Sequence, residues 1–318
     1  MKEIGGYFGL EQYQNNTGEY YKDLICLNTA RNSLVYISKA RNIKKIYIPY
    51  FLCDSVSLVC ERENIEYEYY HIDSNFYPVF DKELKENECL YIVNYYGQLS
   101  NEMLIAFKNK YKNIIVDNVQ AFFQKPIEGI DTIYSCRKFF GVPDGSYLST
   151  NVLLNEMLET DISDDRTKHI YGRIKDGATA HYNEFRINDE LFRDLRLMNM
   201  SNLTHNMLST IDYEKIKTIR TDNYKYLYEK LDKYNKLDID LIEGAYAYPF
   251  YCENGMMVKK ELAKKKIYVA TLWPNVPVLN NGLERNYTEN ILPLPCDQRY
   301  CKEEMKIIIK EIYRCTKI

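Results

Sequence analysis

The sequence lacks the motifs and charge patterns that mark several large classes of protein. No GxGxxG turn follows the first predicted strand and no P-loop is present, which argues against an ordinary nucleotide-binding Rossmann domain. No apolar run approaches the roughly 18 residues of a membrane span, and the N-terminus has no apolar signal-peptide segment. A net charge of -3 gives no electrostatic reason to expect nucleic acid or an anionic membrane as partner. We therefore expect a cytoplasmic protein.

Paired cysteines and clustered histidines are missing as well. The 9 cysteines include no CxxC pair, and an odd, scattered set fits reduced thiols better than a disulfide framework. The 4 histidines are also far apart in sequence. The sequence therefore predicts no metal site.

What is present is an alternation of short apolar runs and helical segments. We predict strands at 45–49, 66–72, 89–94, 113–117, 132–134 and 147–150, and helices at 31–42, 53–63 and 101–111. Short apolar runs without strict alternation are typical of parallel strands buried on both faces. The pattern therefore predicts an α/β fold with a mostly parallel sheet, whose ligands bind at the carboxyl ends of the strands.

The second half of the chain has a different sequence pattern. Residues 151–210 are polar and irregular, with helical sequence at 189–199. At the other end of the chain, residues 1–28 are expected to form an arm and a short lead-in. A long helix is predicted at 213–234, followed by α+β sequence at 245–251, 256–260 and 267–272 and a closing helix at 303–314. We expect a large α/β domain at 1–210 and a small α+β domain at 211–318.

Lys138 lies in an aromatic-flanked segment before the turn cluster Gly141-Val142-Pro143-Asp144-Gly145. A lysine in an apolar pocket has a lowered pKa and can act as an amine nucleophile, most often in a Schiff base with pyridoxal phosphate (PLP). The alternative is a surface lysine between two core aromatic residues.

Asp117 ends a buried strand and should lie at the ligand edge of the sheet. A partly buried carboxylate there needs a cationic partner, and a protonated pyridine nitrogen would serve. The alternative is an ordinary turn or cap residue. A further candidate is the start of the first helix, where Thr29-Ala30-Arg31 offers free backbone N–H groups and a guanidinium to an anion.

Taken together and in order, these segments resemble the DegT/DnrJ/EryC1/StrS family of sugar aminotransferases, which are PLP-dependent enzymes of fold type I. The resemblance covers most of the chain and rests on the following segments: 29–34, similar to Ser-Gly-Thr-x-Ala-Leu; 48–51, after the next strand; 93–98, ending in Tyr-Gly-Gln; 116–121, similar to Glu-Asp-Ala-Ala-Gln-Ala; Lys138 with Asp144-Gly145, similar to a lysine followed by Gly-Glu-Gly-Gly; and 292–300, similar to the closing Leu-Pro segment.

The resemblance implies a role for each matching residue. Lys138 would carry PLP and shuttle a proton, Asp117 would pair with the pyridine nitrogen, and Gln120 would bind near the ring hydroxyl. Ser135 and the backbone of Ala30 and Arg31 would hold the phosphate, and Asn183 would reach the phosphate of a partner subunit. One of Tyr50, Phe51 and Tyr96 would lie near the ring.

The implied activity is transfer of an amino group from an amino acid, such as glutamate, to a keto-sugar that is linked to a nucleotide. The implied pathway makes cell-surface or secondary-metabolite sugars, and the implied assembly is a homodimer with shared sites. Four departures leave the acceptor open: Ala30-Arg31 replaces Gly-Thr, Ser135 lies closer to the lysine than the family's phosphate serine, Pro143-Asp144-Gly145-Ser146 replaces Gly-Glu-Gly-Gly, and the chain is short after residue 150. In addition, Asn183 and Arg186 are one residue further apart than in the family. A sugar dehydratase and a non-catalytic PLP-binding subunit remain as alternatives.

Overall fold

The computed structural model describes residues 18–276 and 282–317, and an eight-stranded sheet forms its centre. The strand order is β1-β8-β7-β6-β5-β2-β3-β4. The strands are β1 (Ile25–Leu27), β2 (Lys45–Pro49), β3 (Glu66–Ile72), β4 (Pro78–Val79), β5 (Glu88–Val93), β6 (Ile114–Asp117), β7 (Asp131–Ser135) and β8 (Ser146–Ser149).

Five neighbouring strands run parallel, in the order β7-β6-β5-β2-β3. Strand β8 is antiparallel to both β7 and β1, so β1 points the same way as the parallel set. The carboxyl ends of β1, β2, β5, β6 and β7 therefore lie at one edge of the sheet. The prediction of a mostly parallel sheet is confirmed.

The central strands are buried on both faces. Every residue of β5 and β6 is buried, and successive side chains of a strand point to opposite faces. Such strands read as continuous apolar runs, which is why the sequence predicted them within one residue. Strand β1 was not predicted, because its apolar run of three residues, Ile25–Leu27, is shorter than the runs that indicate a strand.

The helices of the first half are those predicted. They are α1 (Ala30–Ala40), α2 (Asp54–Arg62) and α3 (Asn101–Tyr111). Thr29 Oγ1 accepts a hydrogen bond from the backbone N–H of Asn32 at 3.1 Å, and Ser100 Oγ caps α3 in the same way. These caps satisfy backbone donors that the first turn of a helix leaves free.

The helix predicted at 189–199 is wrong. The structure has α4 (Lys168–Asp176) and α5 (Tyr182–Leu191), and residues 192–199 form no helix. Their backbone carbonyls are taken by distant side chains instead. Asn32 Nδ2 donates to the carbonyls of Leu195 and Arg196, and Arg62 donates to that of Leu195. Tertiary hydrogen bonds of this kind override a weak local helix preference.

The C-terminal part joins helices to a second, two-stranded antiparallel sheet. Its elements are α6 (Asn202–Ser209), α7 (Tyr213–Leu231), β9 (Tyr248–Tyr251), α8 (Gly255–Lys264), α9 (Leu283–Asn290), β10 (Ile291–Leu294) and α10 (Lys302–Thr316). Helix α10 packs against α7 and α8. Residues 267–272, part of the predicted α+β sequence, form neither helix nor strand. Of the arm and lead-in predicted at 1–28, residues 1–17 lie outside the described residues. The described helices include none with the length and apolar character of a membrane span.

Candidate active site

The topology brings most of the predicted site residues to one edge of the sheet. Asp117 is the last residue of β6, and Ser135 is the last residue of the neighbouring β7. Lys138 follows in a one-turn 3-10 helix, Cys136–Lys138. Helix α1 begins at Ala30, directly after β1. Because all these strands end at the same edge, carboxylate, amine and helix N-terminus face a common space.

Asp117 is a buried carboxylate that lacks a full set of partners. It is only 4% exposed; Oδ2 accepts from the Tyr91 hydroxyl at 2.8 Å and Oδ1 from the backbone N–H of Val119 at 2.9 Å. Burial raises the pKa of Asp117 to about 6. The two hydrogen bonds and the charge of Lys138 lower this pKa, but they do not cancel the effect of burial. Each oxygen can accept a second bond. A cationic donor at the sheet edge would stabilise the charged carboxylate.

Gln120 is buried next to Asp117 and holds the following loop. Its Oε1 accepts from the backbone N–H of Tyr96 at 2.8 Å, at a residue whose φ is +54°. Gln120 therefore fixes the turn after β5 beside the carboxylate. This part of the site is polar and preorganised.

Lys138 does not lie in the apolar pocket that the sequence suggested, because its side chain is exposed. Within the described residues, its Nζ makes no hydrogen bond or ion pair. The backbone around it is nevertheless firmly held: the carbonyl of Phe139 accepts from Arg220 Nη2 at 3.1 Å and from Gln298 Nε2 at 2.7 Å. The free amine thus projects from a fixed turn into open space.

The acidic residue of the turn after Lys138 lies elsewhere. Asp144 is fully buried and accepts from the backbone N–H and hydroxyl of Ser201, and from the hydroxyl of Thr204, at the start of α6. Gly145, at φ +112°, accepts from the backbone N–H of Cys136 at 3.1 Å. Asp144 therefore anchors the lysine turn to α6.

Two arginines stand beside the start of α1. The Nε of Arg31 is buried and finds no hydrogen-bond partner among the described residues. Burial, with the neighbouring charge of Arg31, lowers the pKa of Arg137 to about 10, against the opposing effect of Asp189. Arg137 Nη1 donates to Asp189 at 3.3 Å. Two guanidiniums, one half-exposed carboxylate and free N–H groups of α1 make a site that is short of negative charge.

Arg137 and Tyr91 are the residues that sequence reasoning missed. Arg137 directly precedes Lys138, and an arginine beside a candidate phosphate serine was the available signal. Tyr91 pairs with Ile115 in the parallel register and so lies two residues before the end of β5, next to Asp117. Ser135 and Ala30, which the resemblance places at the phosphate, are both half-buried and lie at this same edge of the sheet.

Asn183 is not part of this cluster. It is an exposed residue of α5. The three candidate ring-stacking residues also differ in position. Phe51 and Tyr96 are buried in the core, whereas Tyr50 is half-buried and stacks on Tyr69 with ring centroids 4.8 Å apart.

A cavity of about 1060 Å³ opens between α4–α5 and the C-terminal part. None of the predicted site residues lines this cavity. Arg137 is close to it, because the charge of Arg137 adds to burial in lowering the pKa of the lining residue His169. The cationic residues that line it are Arg173, Lys265, Lys266 and Arg299, the aromatic ones are Tyr182, Phe185, Tyr268 and Tyr300, and Glu304 is the acidic one; His181 also lines it.

No protein-family model and no curated protein matches the chain. Solved structures do. A DegT/DnrJ/EryC1/StrS aminotransferase from Brucella abortus is 14% identical, with a TM-score of 0.63 over 93% of this chain and 86% of that one. A sugar aminotransferase of Streptococcus pneumoniae, in its PLP form, is 14% identical, with a TM-score of 0.62 over 92% and 86%. NtdA from Bacillus subtilis, with PMP bound, is 12% identical, with a TM-score of 0.66 over 94% and 74%.

These likenesses show the fold. The chain has the architecture of the PLP-dependent transferases of fold type I, with a large mostly parallel sheet and a small antiparallel one. The resemblance to the DegT/DnrJ/EryC1/StrS sugar aminotransferases is confirmed at the level of this fold.

Proposed function

We propose that this protein is a PLP-dependent aminotransferase that moves an amino group from an amino acid to a keto-sugar. The observation that carries the proposal is the pair Asp117 and Lys138 on adjacent strand ends. A buried carboxylate with a raised pKa faces the edge from which a free lysine amine projects. This is the arrangement that PLP needs: a cation-binding carboxylate for its ring nitrogen and an amine for its aldehyde.

The residues present fit the cofactor. The phosphate would be held by the side chains of Arg31, Arg137 and Ser135 and by the backbone N–H groups of Ala30 and Arg31. Its negative charge would balance the positive charge of the two guanidiniums. Asp117 would accept a hydrogen bond from the protonated ring nitrogen. The pKa of Asp117 would then fall, because a neighbouring cation stabilises the charged carboxylate. Gln120 would orient the ring through the turn that it holds.

When bound, PLP withdraws electrons from the bonds at the amino carbon of its substrate. The chain contributes the proton transfer, which we assign to the Lys138 amine. Its Nζ is accessible, and its backbone is fixed by the bonds from Arg220 and Gln298 to the carbonyl of Phe139. A fixed backbone limits the positions from which this amine would give or take a proton, and general acid–base catalysis needs a positioned group.

We assign the acceptor to the large cavity beside Arg137. Its cationic and aromatic walls suit a phosphorylated, ring-bearing molecule, which supports a nucleotide-linked keto-sugar. Glutamate is the amino donor that we would test first. The proposed pathway is the synthesis of cell-surface or secondary-metabolite sugars in the cytoplasm, and the nine free cysteines accord with a reducing compartment.

We further propose a homodimer in which Asn183 contacts the partner's phosphate. Helices α4 and α5 carry several apolar side chains that are between 44% and 83% exposed, which supports their burial against a second copy. They are Ile174, Tyr182, Phe185, Ile187 and Leu191.

We also propose that the large domain comprises 1–210 and the small domain 211–318.

The experiment is a half-reaction assay on the purified protein with PLP and glutamate, measuring 2-oxoglutarate. We expect stoichiometric product from the wild type and a loss of at least about 100-fold in rate for Lys138→Ala, since general acid–base catalysis contributes that much or more. Lys125→Ala is the control, because that lysine lies over the Tyr20 ring away from the proposed site. Full activity of Lys138→Ala would overturn the assignment. Bound PLP with no turnover by any amino donor would favour a non-catalytic binding subunit.

A further inference from the structure

Three potential metal ligands from distant parts of the sequence meet behind the lysine turn. They are Glu19 in the lead-in, Cys26 in β1 and His205 in α6. A carboxylate oxygen, the thiol sulfur and an imidazole nitrogen all lie within 4.8 Å of one another. His205 Nδ1 and Glu19 Oε1 are 2.6 Å apart. Ligands of one tetrahedral ion, each about 2.0 to 2.3 Å from the metal, lie about 3.3 to 3.8 Å apart. The hydrogen-bonded pair of His205 and Glu19 would therefore have to open by about 0.7 Å to admit the ion.

The group has the surroundings of a coordination site. The Glu19 and His205 side chains are 18% and 35% exposed, so an ion could enter from solvent while being largely enclosed. The Tyr147 hydroxyl donates to the second oxygen of Glu19. A second-shell bond of this kind holds a carboxylate ligand in orientation.

The local charge balance points the same way. Besides Glu19, the buried carboxylate of Asp144 and the thiol of Cys136 lie close by, and His205 is the basic group that the described residues place among them. A divalent cation would bring positive charge to this group of acidic side chains.

We propose that Glu19, Cys26 and His205 bind one divalent transition-metal ion, with Zn²⁺ as the natural occupant. Mixed thiolate, imidazole and carboxylate ligands suit this ion, and three protein ligands leave a fourth position for water. Binding displaces the Cys26 thiol proton and any proton on His205 to solvent, because thiolate and neutral imidazole are the ligating forms. The ion would tie the lead-in and β1 to α6. The sequence predicted no metal site, because no two of these residues share a motif.

The test is metal binding by the full chain without PLP, so its outcome is independent of the proposed aminotransferase activity. After chelation and dialysis, the protein is titrated with Co²⁺ and then with Zn²⁺. We expect one Co²⁺ per chain, with the near-ultraviolet absorption of a cobalt–thiolate bond, which Zn²⁺ then abolishes. A Co²⁺ complex without that absorption, or no stoichiometric binding, would overturn the proposal using the wild type alone.

Variants identify the ligands. Cys26→Ser and His205→Gln should weaken Zn²⁺ binding by more than the about 10- to 100-fold expected for Tyr147→Phe, which removes only the second-shell bond. Cys301→Ser is the matched control, because this exposed thiol lies at the start of α10. An unchanged thiolate absorption in Cys26→Ser, or its loss in Cys301→Ser, would show that the ion binds elsewhere and would also overturn the proposal.

Discussion

Replacing Asp117 with asparagine should stabilise the cofactor-free protein while destroying its function. Burial raises the pKa of Asp117 to about 6 from an ordinary 3.8. Since the folded chain holds this proton more tightly than the unfolded chain, Asp117 opposes folding increasingly as the pH rises from 3.8 to 6. A gap of about two pH units corresponds to about 3 kcal/mol of unfolding free energy at about 1.36 kcal/mol per unit.

Asparagine removes this cost and can keep the local hydrogen bonds. Its amide oxygen can accept from the backbone N–H of Val119, and its amide N–H can donate to the Tyr91 hydroxyl. We therefore expect Asp117→Asn to be more stable than the wild type by up to about 3 kcal/mol at pH 8, and by nearly nothing at pH 4.

The assay is urea unfolding of both proteins, without PLP, across this pH range. Asp222→Asn on the exposed face of α7 serves as the control and should show no such pH-dependent difference. An Asp117→Asn variant no more stable than the wild type at pH 8 would refute the reasoning. It would mean that the folded chain already stabilises the charged carboxylate, which leaves no need for a cofactor cation.

Four other changes test separate parts of the account. Gly145→Ala should lower stability by about 1 to 3 kcal/mol in urea unfolding, because φ is +112° and the new methyl group would lie 3.0 Å from Thr204 Cγ2; unchanged stability would contradict this backbone geometry. Thr29→Ala should lower the free energy of unfolding by about 1 kcal/mol by uncapping α1, and an unchanged thermal unfolding midpoint would contradict the capping role. Arg137→Gln should weaken PLP binding roughly 10- to 100-fold but leave pyridoxal binding unchanged, and equal losses would exclude a phosphate contact. Ile174→Asp, at an exposed interface residue that does not line the cavity, should turn a dimer into a monomer in sedimentation, and a monomeric wild type would contradict the interface.

The sequence predicted best what depends on local pattern. The strand that ends at Asp117 is an apolar run buried on both faces, the strand that ends at Ser135 has the short β-favouring core Thr132-Ile133-Tyr134, and α1 has a capping threonine before it. Chain order then put both strand ends at one sheet edge. These features need only neighbours in sequence and the rule for parallel sheets.

What the sequence could not predict depends on distant contacts. Helix α5 ends at Leu191, and the segment after it is held by Asn32 and Arg62 from the other end of the chain. The exposure of Lys138 matches the alternative left open by the sequence, a surface lysine beside core aromatic residues, because Phe139 and Phe140 turn into the core without covering it. The Glu19 and His205 contact joins residues 186 positions apart, for which no spacing rule exists.

The most direct test of the central claim is the visible absorption spectrum of the purified protein with PLP, before and after glutamate is added. The account predicts a band of lysine-bound cofactor that disappears with glutamate and is absent from Lys138→Ala. Absence of the band from the wild type, with Arg31 and Arg137 intact, would contradict the claim that this edge of the sheet is a PLP site. A band that persists with glutamate and every other amino donor would contradict the aminotransferase activity while leaving the cofactor in place.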